Sequence, residues 1–84
     1  MSNLKDIRSD KGLTQSQLAE ASGVNLRILQ YYEQGYKDIN KAQAITLYKL
    51  AQVLECKIED ILELEDLKRN AEALAKYREE KYNQ

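Results

Sequence analysis

The stretch TQSQLAEASGVNLRILQYYEQG, residues 14–35, decides how this chain folds. Thr14 and Gln17 have the S/T-x-x-E/Q spacing of a capping box, in which each side chain satisfies the other residue's free backbone N–H. A helix therefore opens at Thr14, turns Leu18, Ala19 and Ser22 inward, and ends at Gly23. Asn25 caps the next helix, which runs to Gln34 and stops at Gly35. The two helices meet through a tight turn at Gly23, where a positive φ costs nothing. Ala19 is small where they approach, and Leu18, Val24, Leu29 and Tyr32 can share one core. With Leu29 inward, a step of about 100° per residue puts Arg27 and Tyr31 on the opposite side. Leu26 and Ile28 fall on the flanks, near the helix N-terminus.

Working outward, Ser2 or Asn3 can cap a first helix with Leu4 and Ile7 on its apolar side, and Gly12 suits its stop. Residues 36–39 read as a loop. Asn40, with Gln43 three residues on, starts a fourth helix whose inward residues are Ile45, Leu47, Leu50, Ala51 and Leu54. A short fifth helix carries Ile58, Ile61 and Leu62. After Leu64 the composition turns highly charged, although Leu67, Ala71 and Leu74 keep helical spacing before the stripe fades at Arg78 and Lys81. The expectation is an all-α protein: a compact five-helix domain over residues 1–63, with an additional C-terminal helix over residues 64–84.

Composition agrees with that fold class. The 84 residues include no proline and three glycines, and straight-chain helix formers dominate. A chain this short builds one modest core and no deep catalytic cleft. Histidine is absent, no phosphate-binding loop or paired carboxylate stands out, and Cys56 has no partner, so neither enzyme chemistry nor a metal or cofactor is expected. Cys56 reads as a small, half-buried apolar residue. The single thiol, the charged start and the lack of a membrane-length apolar run point to the cytoplasm. The net charge is −1, yet residues 1–57 hold eight Lys and Arg against six acids, while residues 58–84 hold five against eight. A nucleic-acid-facing side needs local positive potential rather than a basic whole, so this balance permits DNA as a partner without requiring it.

At these residues the chain resembles the lambda-repressor-like, Cro-type helix-turn-helix family of XRE-type transcriptional regulators. The matching positions are Arg8, Gly12-Leu13-Thr14-Gln15, Leu18-Ala19, Gly23-Val24, Leu29, Glu33 and Gly35, followed by Leu47, Leu50, Ala51, Leu54 and the closing Ile58 to Leu62. The resemblance spans roughly residues 3–63. It implies reversible binding to double-stranded DNA with no chemistry on the substrate. Leu26, Arg27, Ile28 and Tyr31 match positions that meet base edges in the major groove. Gln15 matches the position that grips a backbone phosphate, with Thr14 assisting through its backbone N–H and Asn25 at the next helix start. Gln34, Tyr36, Lys37 and Lys41 surround the loop that lies along the DNA backbone in relatives. Arg8 and Glu33 match a pair that ties the first helix to the third. The reading positions depart from the family's usual polar groups, since Leu26 and Ile28 are apolar and suit thymine methyls, while Arg27 suits guanine O6 and N7.

One such module with a weak positive balance binds DNA weakly, and a second half-site one turn away would raise the affinity. Leu64, Leu67, Ala71, Leu74 and Tyr77 form a narrow apolar stripe suited to a homodimer contact. Folding back on the domain, and a frayed or partner-binding tail, are the other readings of that segment. The functional expectation is a transcriptional regulator, most often a repressor in this family. The alternatives are the antitoxin of a toxin–antitoxin pair and a protein-interaction module that has lost DNA binding.

Overall fold

A computed structural model describes residues 2–65. Its α-helices are α1 (Asn3–Asp10), α2 (Gln15–Ser22), α3 (Leu26–Gln34), α4 (Ala44–Leu54) and α5 (Ile58–Ile61), with a 3-10 turn at Ile39–Lys41. No strand occurs among the described residues. The stripe positions Leu67, Ala71, Leu74 and Tyr77 lie outside them.

The helix starts follow the local chemistry of the sequence. Ser2 is the residue that caps α1, its hydroxyl accepting from the Lys5 N–H at 3.1 Å. Thr14 and Gln17 form the reciprocal box at α2: the Gln17 N–H donates to Thr14 Oγ1 at 3.1 Å, and the Thr14 N–H to Gln17 Oε1 at 2.9 Å. Asn25 Oδ1 accepts from both the Arg27 and Ile28 N–H groups at α3. At α5, the Asp60 carboxylate accepts from the Lys57 N–H at 2.9 Å.

The stops are equally specific. After α1 the Leu13 N–H reaches Arg8 O and the Gly12 N–H reaches Ser9 O, the paired bonds of a Schellman motif with Gly12 at φ +72°. Gly23 closes α2 at φ +75°. The Ser22 hydroxyl, accepting from the Val24 N–H at 3.2 Å, stiffens the turn that follows. Among the described helices only α4 ends on a non-glycine in the left-handed region, Glu55 at φ 53° and ψ 46°.

These helices enclose one core. Leu4, Leu18, Leu29, Leu50, Leu54 and Ile61 are fully buried, and α2 packs on both α3 and α4 while α1 rests on α3 and α5. Each such side chain contributes about 1.5–3 kcal/mol by leaving water. Cys56 is half-buried against this cluster, and burial, with the nearby Asp60 charge, pushes its thiol up against a smaller opposite pull from Lys11. It therefore stays protonated and serves as packing.

Three expectations are corrected from the end of α3 to the first turn of α4. Asn40 does not start the fourth helix. Asp38 accepts from the Asn40 N–H at 2.9 Å and caps the 3-10 turn, Ala42 and Gln43 are extended, and α4 begins at Ala44. The same turn drives Ile39, expected in a loop, into the core with 4% exposure. Ile45 is not inward but 54% exposed. Helical geometry accounts for it, because a 100° step sets Ile45 about 160–180° from Leu47 and Leu54.

Glu55 supplies a test of this packing. A non-glycine in the left-handed region costs about 1–2 kcal/mol, partly offset in Glu55→Gly by greater freedom of the unfolded chain. The substitution should raise stability by about 0.5–1 kcal/mol in urea titrations. A loss of stability would show that the Glu55 side chain contributes more than its backbone costs.

Candidate nucleic-acid interface

The orientation of α3 rests on a hydrogen-bonded frame. Arg8 Nε donates to Glu33 Oε2 at 2.7 Å and Nη2 to Oε1 at 2.9 Å, a fork-to-fork pair between α1 and α3. Nη1 donates to the Leu13 carbonyl at 2.7 Å, so the same guanidinium also holds the α1–α2 turn. The Arg8 and Glu33 side chains retain only 11% and 1% exposure. The Glu33 hydrogen bonds raise the Arg8 pKa, overcoming the opposing effect of burial, and the guanidinium stays charged at every working pH.

Gln15, at the start of α2, extends the frame. Its amide N–H donates to Glu33 Oε1 at 3.0 Å, and its carbonyl accepts from Gln30 Nε2 at 3.4 Å. Gln15 is thus half-buried and turned toward α3. One amide hydrogen remains for an external acceptor. The Thr14 N–H, expected to face a phosphate, is already taken by Gln17. The Gln15 and Ser16 N–H groups, which follow it, have no acceptor among the described residues. Asn25 is exposed with its oxygen committed to the α3 cap, which leaves its amide nitrogen outward.

On α3 itself the two sides differ sharply. Leu29 is fully buried, and Tyr32 packs against the core. Arg27 is exposed, Leu26 is 36% exposed, and Ile28 and Tyr31 are half-buried. Neither Leu26 nor Ile28 belongs to the core cluster. Tyr31 meets Tyr36 edge-on, with ring centroids 6.0 Å apart and planes at 81°. Tyr36 is 77% exposed, so the aromatic pair projects from the C-terminal end of α3. Gln34, Lys37 and Lys41 are exposed, and the Lys37 N–H donates to the Tyr31 carbonyl at 3.2 Å, folding the loop back on α3.

The structure forms the Arg8–Glu33 pair that the family resemblance implies and leaves Arg27 on the outward side of α3, with Leu64 (42% exposed) beyond α5. Three participants had not been anticipated. Gln30 tethers Gln15, while Asn3 and Asn40 both bond the chain at residues 62–63. The available signal was Gln30's place beside inward Leu29 with Gln15 and Glu33 as complementary groups. Nothing local marked the two asparagines.

Two capped helices crossing at a glycine turn, with the second pinned on one side and open on the other, define a helix-turn-helix DNA-binding protein. A family model described as helix-turn-helix matches residues 4–61, and the chain belongs to that family, in its lambda-repressor-like, XRE-type form. No curated protein sequence matches it. Among solved structures it is similar to the clp gene regulator ClgR from Corynebacterium glutamicum, with 30% identity, a TM-score of 0.63, and coverage of 98% of this chain and 88% of that one. It is also similar in fold to a chain of the SinR protein–SinI protein complex, with 23% identity, a TM-score of 0.65, and full coverage of both chains. The protein is a DNA-binding transcriptional regulator. Among its described residues no helix is long and apolar enough to cross a membrane.

Removing Glu33 leaves a nearly buried guanidinium without its partner. Glu33→Ala should cost about 3 kcal/mol in urea unfolding, and Arg8→Met with Glu33→Met should cost less than Glu33→Ala alone. Equal losses in the two proteins would mean that packing, not uncompensated charge, dominates.

Proposed function

We propose that the protein represses transcription by binding double-stranded DNA sequence-specifically, with α3 in the major groove. The observation that carries this reading is the division of α3. Its inner side is held by Leu29 and the Arg8–Glu33 pair, while Arg27 is free to reach base edges. Arg27 is suited to a bidentate contact with guanine, Leu26 and Ile28 to thymine methyls, and Tyr31 to a flanking base. Gln15, Asn25, Gln34, Tyr36, Lys37 and Lys41, with the Thr14 hydroxyl in place of its occupied N–H, surround these groups as contacts to phosphate and sugar, which fix register without specifying sequence. The likeness to a protein named as a gene regulator supports a regulatory role. Taken with the single thiol, DNA as the target fits a cytoplasmic home.

The same reading takes the active species as a homodimer. With Arg27 assigned to a base, the exposed loop cations Lys37 and Lys41 offer few phosphate contacts for one module, and a second copy doubles them. Leu64 opens the apolar stripe through which two copies would meet. Selection of bound sequences from a random duplex pool tests the proposal as a whole, with two half-sites about one helical turn apart as the expected product. A pool that stays random after selection would rule it out.

Two substitutions separate specificity from general affinity. Arg27→Ala should lose about 1–3 kcal/mol at one base step of the selected sequence and much less on unrelated DNA. Lys37→Ala should weaken binding on every duplex and reduce the slope of log K against log salt by about one. Uniform weakening by Arg27→Ala would remove it from the reading set.

A further inference from the structure

Asn40 lies in the 3-10 turn, between the loop lysines Lys37 and Lys41 and ahead of α4. Its side chain pairs with both backbone groups of Glu63: Nδ2 donates to the Glu63 carbonyl at 3.0 Å, and Oδ1 accepts from the Glu63 N–H at 2.9 Å. Only a carboxamide supplies a donor and an acceptor side by side in this way. From the other end of the domain, Asn3 Nδ2 donates to the Leu62 carbonyl at 2.8 Å and the Asn3 N–H to Glu63 Oε1 at 3.1 Å. Residues 62–63, through which the chain leaves the domain, are thus held on two sides by polar groups.

The loop needs such an attachment. Between Gly35 and Ile39 it forms one wall of a half-open groove of about 330 Å³, with Tyr32, Gln34 and Glu63 among the residues of the other walls. The Lys37 N–H bond to the Tyr31 carbonyl ties the start of the loop to α3, and Ile39 anchors its far end by burial. An apolar contact is non-directional, however, and leaves the rotation of the 3-10 turn loosely set. The Asn40 pair is directional and half-buried, and it sits next to Lys41.

We propose that Asn40 is a positioning residue for DNA binding, one that locks the lysine loop to the root of the C-terminal segment through its paired hydrogen bonds with Glu63. The loop and the chain's exit from the domain are then one mechanical unit. Whatever grips the C-terminal segment, a second copy included, acts through Glu63 on the groups that face the phosphates. This rests on the DNA-binding reading given above.

The test uses the full chain and two variants. Asn40→Asp keeps the shape but loses the donor and turns a carboxylate toward the Glu63 carbonyl, and Asn40→Ala removes the pair without adding charge. Native-state hydrogen exchange requires no DNA. Exchange at the Glu63, Lys41 and Ala42 amides should rise together by about tenfold or more, while Leu18 and Leu29 keep their protection. Duplex titrations at several salt concentrations should then show affinity lost on all sequences, a salt slope shallower by about one, and an unchanged order of base preference. If Asn40→Asp unfolds the protein, Asn40→Ala decides. Faster exchange at Glu63 alone, or joint exchange with wild-type affinity and salt slope, overturns the positioning role while leaving the DNA reading intact. A wild-type chain that binds no duplex even at low salt overturns the DNA reading, and the positioning role with it.

Discussion

The fork between Arg8 and Glu33 is the interaction on which the rest of this structure depends. Its two hydrogen bonds join α1 to α3, a third bond from the same guanidinium holds the turn into α2, and Gln15 brings α2 to the same carboxylate. Three helices and a turn therefore converge on one buried pair of charges. An apolar core alone would tolerate small rotations of α3, because dispersion and the hydrophobic effect have little directionality. A bidentate guanidinium–carboxylate pair does not, since both bonds weaken as the planes rotate apart. The cost of desolvating two charges is offset by satisfying nearly all their hydrogen-bonding groups, and no buried polar side-chain atom among the described residues lacks a partner.

With the inner side of α3 so constrained, its outer side is released from structural duty. Leu26 and Ile28 stand outside the core cluster, and Arg27 is solvated. The domain carries no positive excess, with eight Lys and Arg against nine acids over residues 1–63, so contact quality rather than bulk charge must carry affinity. The Tyr31–Tyr36 edge contact fits that requirement, because it stiffens two large amphipathic side chains before any partner arrives.

How much of this was legible in the sequence follows from the distance over which each contact acts. The caps at Ser2, Thr14 and Asn25 and the stops at Gly12, Gly23 and Gly35 are settled within four or five residues, and the sequence pattern places them correctly. The Arg8–Glu33 pair spans 25 residues and was legible only through family resemblance. Asn40 misled because its local signal, a polar residue three before Gln43, is that of a helix cap, whereas its real partner lies 23 residues away. Ile39 escaped for a related reason, since one apolar residue among polar ones has no periodicity to reveal it. Ile45 was a misreading of helical phase rather than a tertiary effect. At the candidate site, the outward position of Arg27 was legible, but the inward tie of Gln15 to Glu33 and Gln30 was not, because a glutamine's range exceeds what spacing alone constrains.

The separation of a fixed inner side from an open outer side has a consequence for how such a protein diverges. Positions 26, 27 and 31 can be exchanged with little effect on the frame, because neither the fork nor the core cluster uses their side chains. Fold and target preference are then separately heritable. A duplicated copy could drift to a new operator by a few surface changes while every intermediate remained folded, and the innovation would begin at the tips of α3 rather than in the helices that carry it.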